Sequence, residues 1–455
     1  MRKLWLAAGC LVFAAYGQEF PAPEDSQLTA YVEEALNKNP AVQASFARYR
    51  AALQKAPQAR TLPDPMLQVA PYLRSPETRV GPQSFSVSLS QKLPWFGKLD
   101  AQANVALKEA HVQERLYQAA RADVVRRVKL AYYDLAFVDE ALGIAESEIG
   151  LLTHFERLAR ARYAQGAGLQ QAAIKLQAEI TRLQAQLEQL RAARVDAEAA
   201  LNSLLDQPPA RPLPRALLGP RPALAIGPEE LAREIQRGNP DLRAAFERVE
   251  KAEKQIDAAR KEYWPDFTIG LGYVNVTGRN DAPGRLVPPP DNGKDIWGVS
   301  VGVNIPIRRR GRDAAVLEAT ENLVAARHAY REEQNSAESA VRTLTFRLDT
   351  LRNQIELFEG TLLPQARQAL RSAEAAYSTG EAGVLDLLDS QRMSLEIRLG
   401  LARMETDYRK AVAELERVTG PAPKGPDYSV LKREARSGQS GLSRKWAEGD
   451  WLVCP

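Results

Sequence analysis

The chain states one pattern twice, roughly 200 residues apart. Leu36-Asn37-Lys38-Asn39-Pro40 opens a helical stretch that closes at Pro63-Asp64, and Ile235-Gln236-Arg237-Gly238-Asn239-Pro240 opens one that closes at Pro265-Asp266. Leu93-Pro94 and Ile305-Pro306 each end an alternating strand. Tyr163-Ala164-Gln165-Gly166 and Tyr377-Ser378-Thr379-Gly380 each interrupt a very long helix. A repeat of this length means a duplicated structural unit, so whatever it builds has pseudo-symmetry.

Each half reads as helix, two strands, very long helix, reversal and helix. The first repeat spans 18–206, a Pro-rich linker follows at 207–227, and the second repeat spans 228–420. Strands are expected at 66–73, 84–93, 267–277 and 295–305. Their apolar residues alternate with Ser, Gly and Thr, which is the period of a sheet with one apolar and one polar face. Ordinary soluble hairpins would alternate too, but small polar residues suit a water-filled lumen, and the Pro/Gly-rich links 74–83 and 278–294 suit barrel loops. Helices are expected over 28–60, 97–163, 169–205 and 312–377, the last with Pro364 as a kink. At about 1.5 Å per residue the first long helix reaches about 100 Å. The shorter helices before the strands and after the reversal sum to about one long helix, so stacked end to end they lie beside it. Leu176, Ile180, Leu183, Leu187 and Leu190 form a coiled-coil seam.

Residues 1–17 have the form of a secretory leader: Arg2-Lys3, an apolar run, then Ala15-Tyr16-Gly17. Ala8-Gly9-Cys10 is an alternative lipidation site at Cys10. If Cys10 leaves with the leader, Cys454 has no partner for an internal disulfide. Residues 421–455 lack periodicity and are expected to be disordered or loosely docked. The net charge of +4 offers nothing for nucleic acid. No later stretch has the roughly 20 apolar residues of a spanning helix, so a membrane crossing requires a closed barrel. Four strands cannot close one, because about 8 are the minimum; three chains pooling their strands would supply twelve.

These features together resemble the TolC-like outer-membrane efflux protein family. The resemblance covers roughly 27–420 and rests on the duplicated Asn-Pro starts, Pro63-Asp64-Pro65 and Trp264-Pro265-Asp266, Gln91-Lys92-Leu93-Pro94-Trp95-Phe96-Gly97-Lys98, and the two reversals. It implies a mainly α chain with a small β part: a homotrimer whose 12-stranded β-barrel lies in outer-membrane lipid and continues as a periplasmic α-helical barrel. It also implies a passive exit duct that meets a periplasmic adaptor (membrane fusion protein) and an inner-membrane efflux pump. The Gln-Lys-Leu-Pro-Trp-Phe-Gly-Lys segment is similar to versions in the heavy-metal branch. Asp386 and Asp389, three apart on one helix face, would lie at the periplasmic constriction, with Tyr377 helping to hold it shut. Tyr163, Gly166, Gly168, Gly380 and Gly383 would form tip turns where the adaptor docks. Where the family can carry a gating arginine, this chain has Ala382.

An enzyme finds no support in the residues. There is no phosphate loop, zinc spacing or nucleophile motif, and His111, His154 and His328 stand singly in long helices. No cofactor or metal site is expected. A soluble periplasmic coiled-coil scaffold would explain the leader and seams but not the duplicated strands.

Overall fold

The computed structural model describes residues 26–222, 233 and 235–420; the leader, Cys10 and the tail with Cys454 lie outside the described residues. The first repeat contains α1 (Ser26–Lys38), α2 (Pro40–Leu53), α3 (Lys55–Arg60), β1 (Met66–Pro71), β2 (Glu77–Thr78), β3 (Gly81–Leu93), α4 (Lys98–Ala164) and α5 (Gln170–Leu204). The second contains α6 (Pro240–Lys261), β4 (Phe267–Val276), α7 (Ala282–Leu286), β5 (Ile296–Val303), α8 (Arg309–Leu357), a π-helical turn (Phe358–Leu362), α9 (Leu363–Thr379) and α10 (Val384–Thr419).

The helix expected over 28–60 is three helices. Pro40 occupies the first turn of α2, where its missing N–H costs nothing. Pro57 explains the second break, because its ring clashes with the carbonyl four residues earlier, at Leu53, where α2 ends. Pro364 acts similarly in the second repeat. The carbonyl four residues before it belongs to Gly360, inside the π-helical turn, so one widened turn takes the place of a simple kink.

Asn39 and Asn239 explain how short helices stack into long ones. The Asn39 Oδ1 accepts from the Ala41 N–H at 3.0 Å and caps α2, while its amide donates to the Leu204 carbonyl at 2.9 Å. In the second repeat Asn239 Oδ1 accepts from Asp241 and Leu242 N–H at 2.9 and 2.8 Å, and its amide donates to the Val418 carbonyl at 3.0 Å. One side chain thus closes the start of one helix and the end of the helix returning from the far tip. Both asparagines are buried, at 5% and 4% exposure. A buried carbonyl at a helix end needs such a partner.

The four long strands form one antiparallel sheet in the order β1-β3-β4-β5, with β2 appended to β3. Leu67, Leu89, Leu271 and Val299 make one row across it, and Val69, Val87, Tyr273 and Trp297 the next. The opposite face carries Gln68, Ser88, Gly272 and Gly298, then Met66, Ser90, Gly270 and Ser300. The strand bounds differ from those expected at the loop ends. The β2–β3 hairpin extends β3 back to Gly81, and β1 stops at Pro71.

At the opposite end, Ile144, Leu152, Phe155, Leu176, Leu387 and Leu395 pack α4, α5 and α10 together. The α4 helix, 67 residues long, is the spine between the sheet and this tip.

Asn239→Asp keeps the cap acceptor but replaces the amide donor with a carboxylate facing the Val418 carbonyl. We expect a loss of about 2–3 kcal/mol in unfolding free energy, against about 1 for a cap alone. Chemical denaturation of Asn239→Asp and Asn239→Ala checks this; a neutral Asn239→Asp would contradict the dual role.

Candidate functional site: the open sheet and the helical tip

The sheet has two features that a soluble protein normally avoids. Its apolar face is open, with Leu67 65% and Val299 76% exposed. A contiguous apolar face of this kind marks a surface made for a partner or for lipid. Among the described residues its edge strands β1 and β5 also have no neighbour on their outer sides. Around the sheet's helical end, Trp95 stacks on Trp264 at 5.1 Å and on Phe267 at 5.6 Å, and aromatic clusters of this kind favour a membrane–water boundary. Among the described residues no helix is long and apolar enough to cross a membrane.

The tip is built from both reversals. Gly166 (φ 73°) and Gly380 (φ 89°) take the left-handed conformation that turns the chain after α4 and α9. Gly168 lies in the link to α5, and Gly383 is the residue before α10. Tyr377 is buried at 4% exposure, edge-on to Phe155 at 5.9 Å, whereas its repeat mate Tyr163 is half exposed. Burial pushes the Tyr377 hydroxyl above its ordinary range, the Arg162 charge only partly opposing it. The Arg162 guanidinium lies 5.5 Å from the Tyr377 ring centroid and donates to the Tyr377 carbonyl at 2.6 Å and to the Ser378 carbonyl. It ties the first reversal to the second.

Asp386 and Asp389 are exposed. The Asp386 Oδ2 accepts from the Gly383 N–H at 3.1 Å, so it also caps α10. Both aspartates line a groove with Lys175, Arg182, Arg392 and Glu179. Glu179 is the buried member: Arg392 reaches it from α10 at 2.6 Å and Arg182 from α5 at 2.6 Å. Burial alone would raise its carboxyl, but the two guanidiniums overcome that and hold it below the ordinary glutamate range. Glu148, further up α4, has the opposite fate. Burial pushes it above that range, and neighbouring Gln391 and Arg398 do not offset this. Among the described residues, its Oε1 and both amide atoms of Gln391 have no hydrogen-bond partner.

This geometry, an open apolar sheet joined by an unbroken helical spine to a paired helical tip, meets its counterpart in known proteins. Residues 31–207 and 231–421 match the family described as outer membrane efflux protein. The chain belongs to that family. It is 20% identical to the cobalt-zinc-cadmium resistance protein CzcC of Cupriavidus metallidurans, covering 80% of this chain and 82% of that one. It is 27% identical to the outer membrane protein OprJ of Pseudomonas aeruginosa, covering 78% and 74%. Its fold matches the crystal structure of CusC with a TM-score of 0.73 at 19% identity, over 87% of this chain and 92% of that one.

The protein is therefore the outer-membrane exit duct of a tripartite efflux system, reaching from the outer membrane into the periplasm. Efflux proteins of this family are channels, and they form trimers that work with an adaptor and an inner-membrane pump. Sequence reasoning missed Arg162, Glu179 and Arg392 at the tip. The signal available was asymmetry: Arg162 stands where the second repeat has Ala376, and Arg392 where the first has Ala178.

The two buried carboxylates give tip stability opposite pH signatures. The Glu179 pairs stabilise above the ordinary glutamate value of 4.5, and this is lost as pH falls through the lowered folded value. Glu179→Gln should cost about 1–2 kcal/mol at pH 7, because its arginines are half exposed and screened, and nothing at strongly acid pH. For Glu148 the favourable state is the protonated one, present in full below 4.5 and lost as pH rises through the raised folded value. Glu148→Gln should raise the melting temperature at pH 7 and leave it unchanged in acid. Melting curves against pH check both signs.

Proposed function

We propose that three copies of this chain, directed to the cell envelope by residues 1–17, close a twelve-stranded barrel and a helical tunnel, and that the tip is the tunnel's gated entrance. The observation that carries this reading is the sheet: four long strands, one apolar face open and both edges unpaired. In hydrocarbon such edges must be satisfied by closure. The polar face of Ser and Gly then lines a lumen.

At the other end, Asp386 and Asp389 from three copies converge as a ring of six carboxylates that attracts cations and slows anions. Tyr377, clasped by Arg162, holds the reversal in its closed position. Tyr163 and the turns at Gly166, Gly168, Gly380 and Gly383 present the surface on which the adaptor docks. Heavy-metal cations are the cargo class we favour, on the likeness to CzcC and the acidic entrance.

In planar bilayers Asp386→Asn/Asp389→Asn should weaken block by multivalent cations about tenfold. Unchanged block would remove the aspartates from the ion path. For cargo, restoring this chain to a strain lacking it should raise tolerance to cobalt, zinc or cadmium. Restored tolerance to dyes and detergents alone would point to drugs instead.

A further inference from the structure

The pairing of the two repeats inside one chain is a template for the pairing between chains. Superposing Pro63-Asp64 on Pro265-Asp266 sets β1 on β4, and superposing Leu93-Pro94 on Ile305-Pro306 sets β3 on β5. Within the chain, β3 pairs with β4 so that Leu89 faces Leu271 and Gln91 faces Ile269. The equivalents of β3 and β4 that remain unpaired are β5 and β1, on opposite edges of the sheet. From this we infer that β5 pairs with the partner subunit's β1 in the same register, Val301 facing the partner subunit's Val69 and Val303 facing the partner subunit's Leu67. This inference rests on the closed trimer proposed above and fixes its seam residue by residue.

Two independent features agree with that register. It keeps apolar residues beside apolar ones: Val301 and Val303 share the face of Val299 and Trp297, and Val69 and Leu67 share the corresponding face of β1. A shift by one residue would set them against Gln68 and Ala70. The second feature is charge. Where the repeats meet inside the chain, Asp266 is buried and holds Lys98 at 2.8 Å, Lys92 at 3.2 Å and the Trp95 N–H at 3.1 Å. Its repeat mate is Asp64, and the repeat mate of Lys98 is Arg310. Both are exposed, and among the described residues neither makes an ion pair. An acid without its base stands at one edge of the sheet and a base without its acid at the other. The template brings Arg310 onto the partner subunit's Asp64, at the periplasmic end of the seam. The Lys98–Glu262 contact does not carry over, since Glu262 is matched by Arg60, which leans on Asp100 of its own chain at 3.5 Å.

The test uses the full chain, with Cys454 replaced by serine, in detergent. Directly opposed residues bring Cβ atoms within disulfide reach, whereas positions two residues off do not. Oxidation of Val69→Cys/Val301→Cys should give a covalent trimer, and Val69→Cys/Val303→Cys should not. Efficient cross-linking of the second pair, or of neither pair in a protein that still has trimer mass, would overturn the register. Absence of any trimer by light scattering would instead bring down the assembly on which the inference rests. Asp64→Arg and Arg310→Asp should each lower the temperature at which the trimer dissociates by a few degrees, and the double reversal should recover most of that loss. A double variant no better than either single would refute the ion pair.

Discussion

Every backbone N–H and carbonyl in the hydrocarbon of a membrane must find a partner within the protein. The sheet of this chain leaves two edges open, at β1 and β5, so that requirement reaches beyond the single chain. It links features that would otherwise be unrelated. The open face carries Leu67, Val69, Val299 and Trp297 because lipid is to cover it. The other face is mostly small and polar, with Ser88, Ser90, Gly270 and Gly272, because water is to fill it. The helices leave the sheet at fixed positions, Lys98 and Arg309, so closing the sheet also arranges them around the same axis.

Duplication makes that closure possible, and departures from it give the two ends their character. Asn39 and Asn239 do the same work in both repeats, each capping one helix and holding the end of another. Asp206 (φ 56°) and Gly420 (φ 86°) share the left-handed turn that follows the returning helices. At the tip the halves diverge. Arg162 and Tyr377 form a contact with no counterpart, because the repeat mate of Arg162 is Ala376. Glu179, from the first half, is held by Arg392, from the second. In the gated entrance we propose, these asymmetric pairs are the contacts that differ from the seams shared by both repeats.

The architecture was legible in the sequence because it is periodic. Strand alternation at 84–93 and 267–277, the Asn-Pro starts and the Tyr-x-x-Gly reversals all carry their structure in short windows. Pro57 was just as visible, and giving its ring due weight would have broken the helix expected over 28–60. What stayed hidden are contacts between helices distant in sequence. The second bond of Asn39 reaches Leu204, and Arg162 reaches Tyr377 across 215 residues. Nothing in a local window says which helices face one another. The burial of Glu148 beside Gln391 was hidden for the same reason: each looks like an ordinary polar residue of an exposed helix until α4 and α10 pack together.

We propose that the chain completes its sheet with two further copies of itself. Light scattering of the purified protein in detergent, with the detergent mass subtracted, reads that closure as a mass. Closure by three copies gives a protein mass three times that of the mature chain across the concentration range measured. A stable monomer or dimer, soluble without detergent, would contradict it and leave the open face and edges of the sheet unexplained.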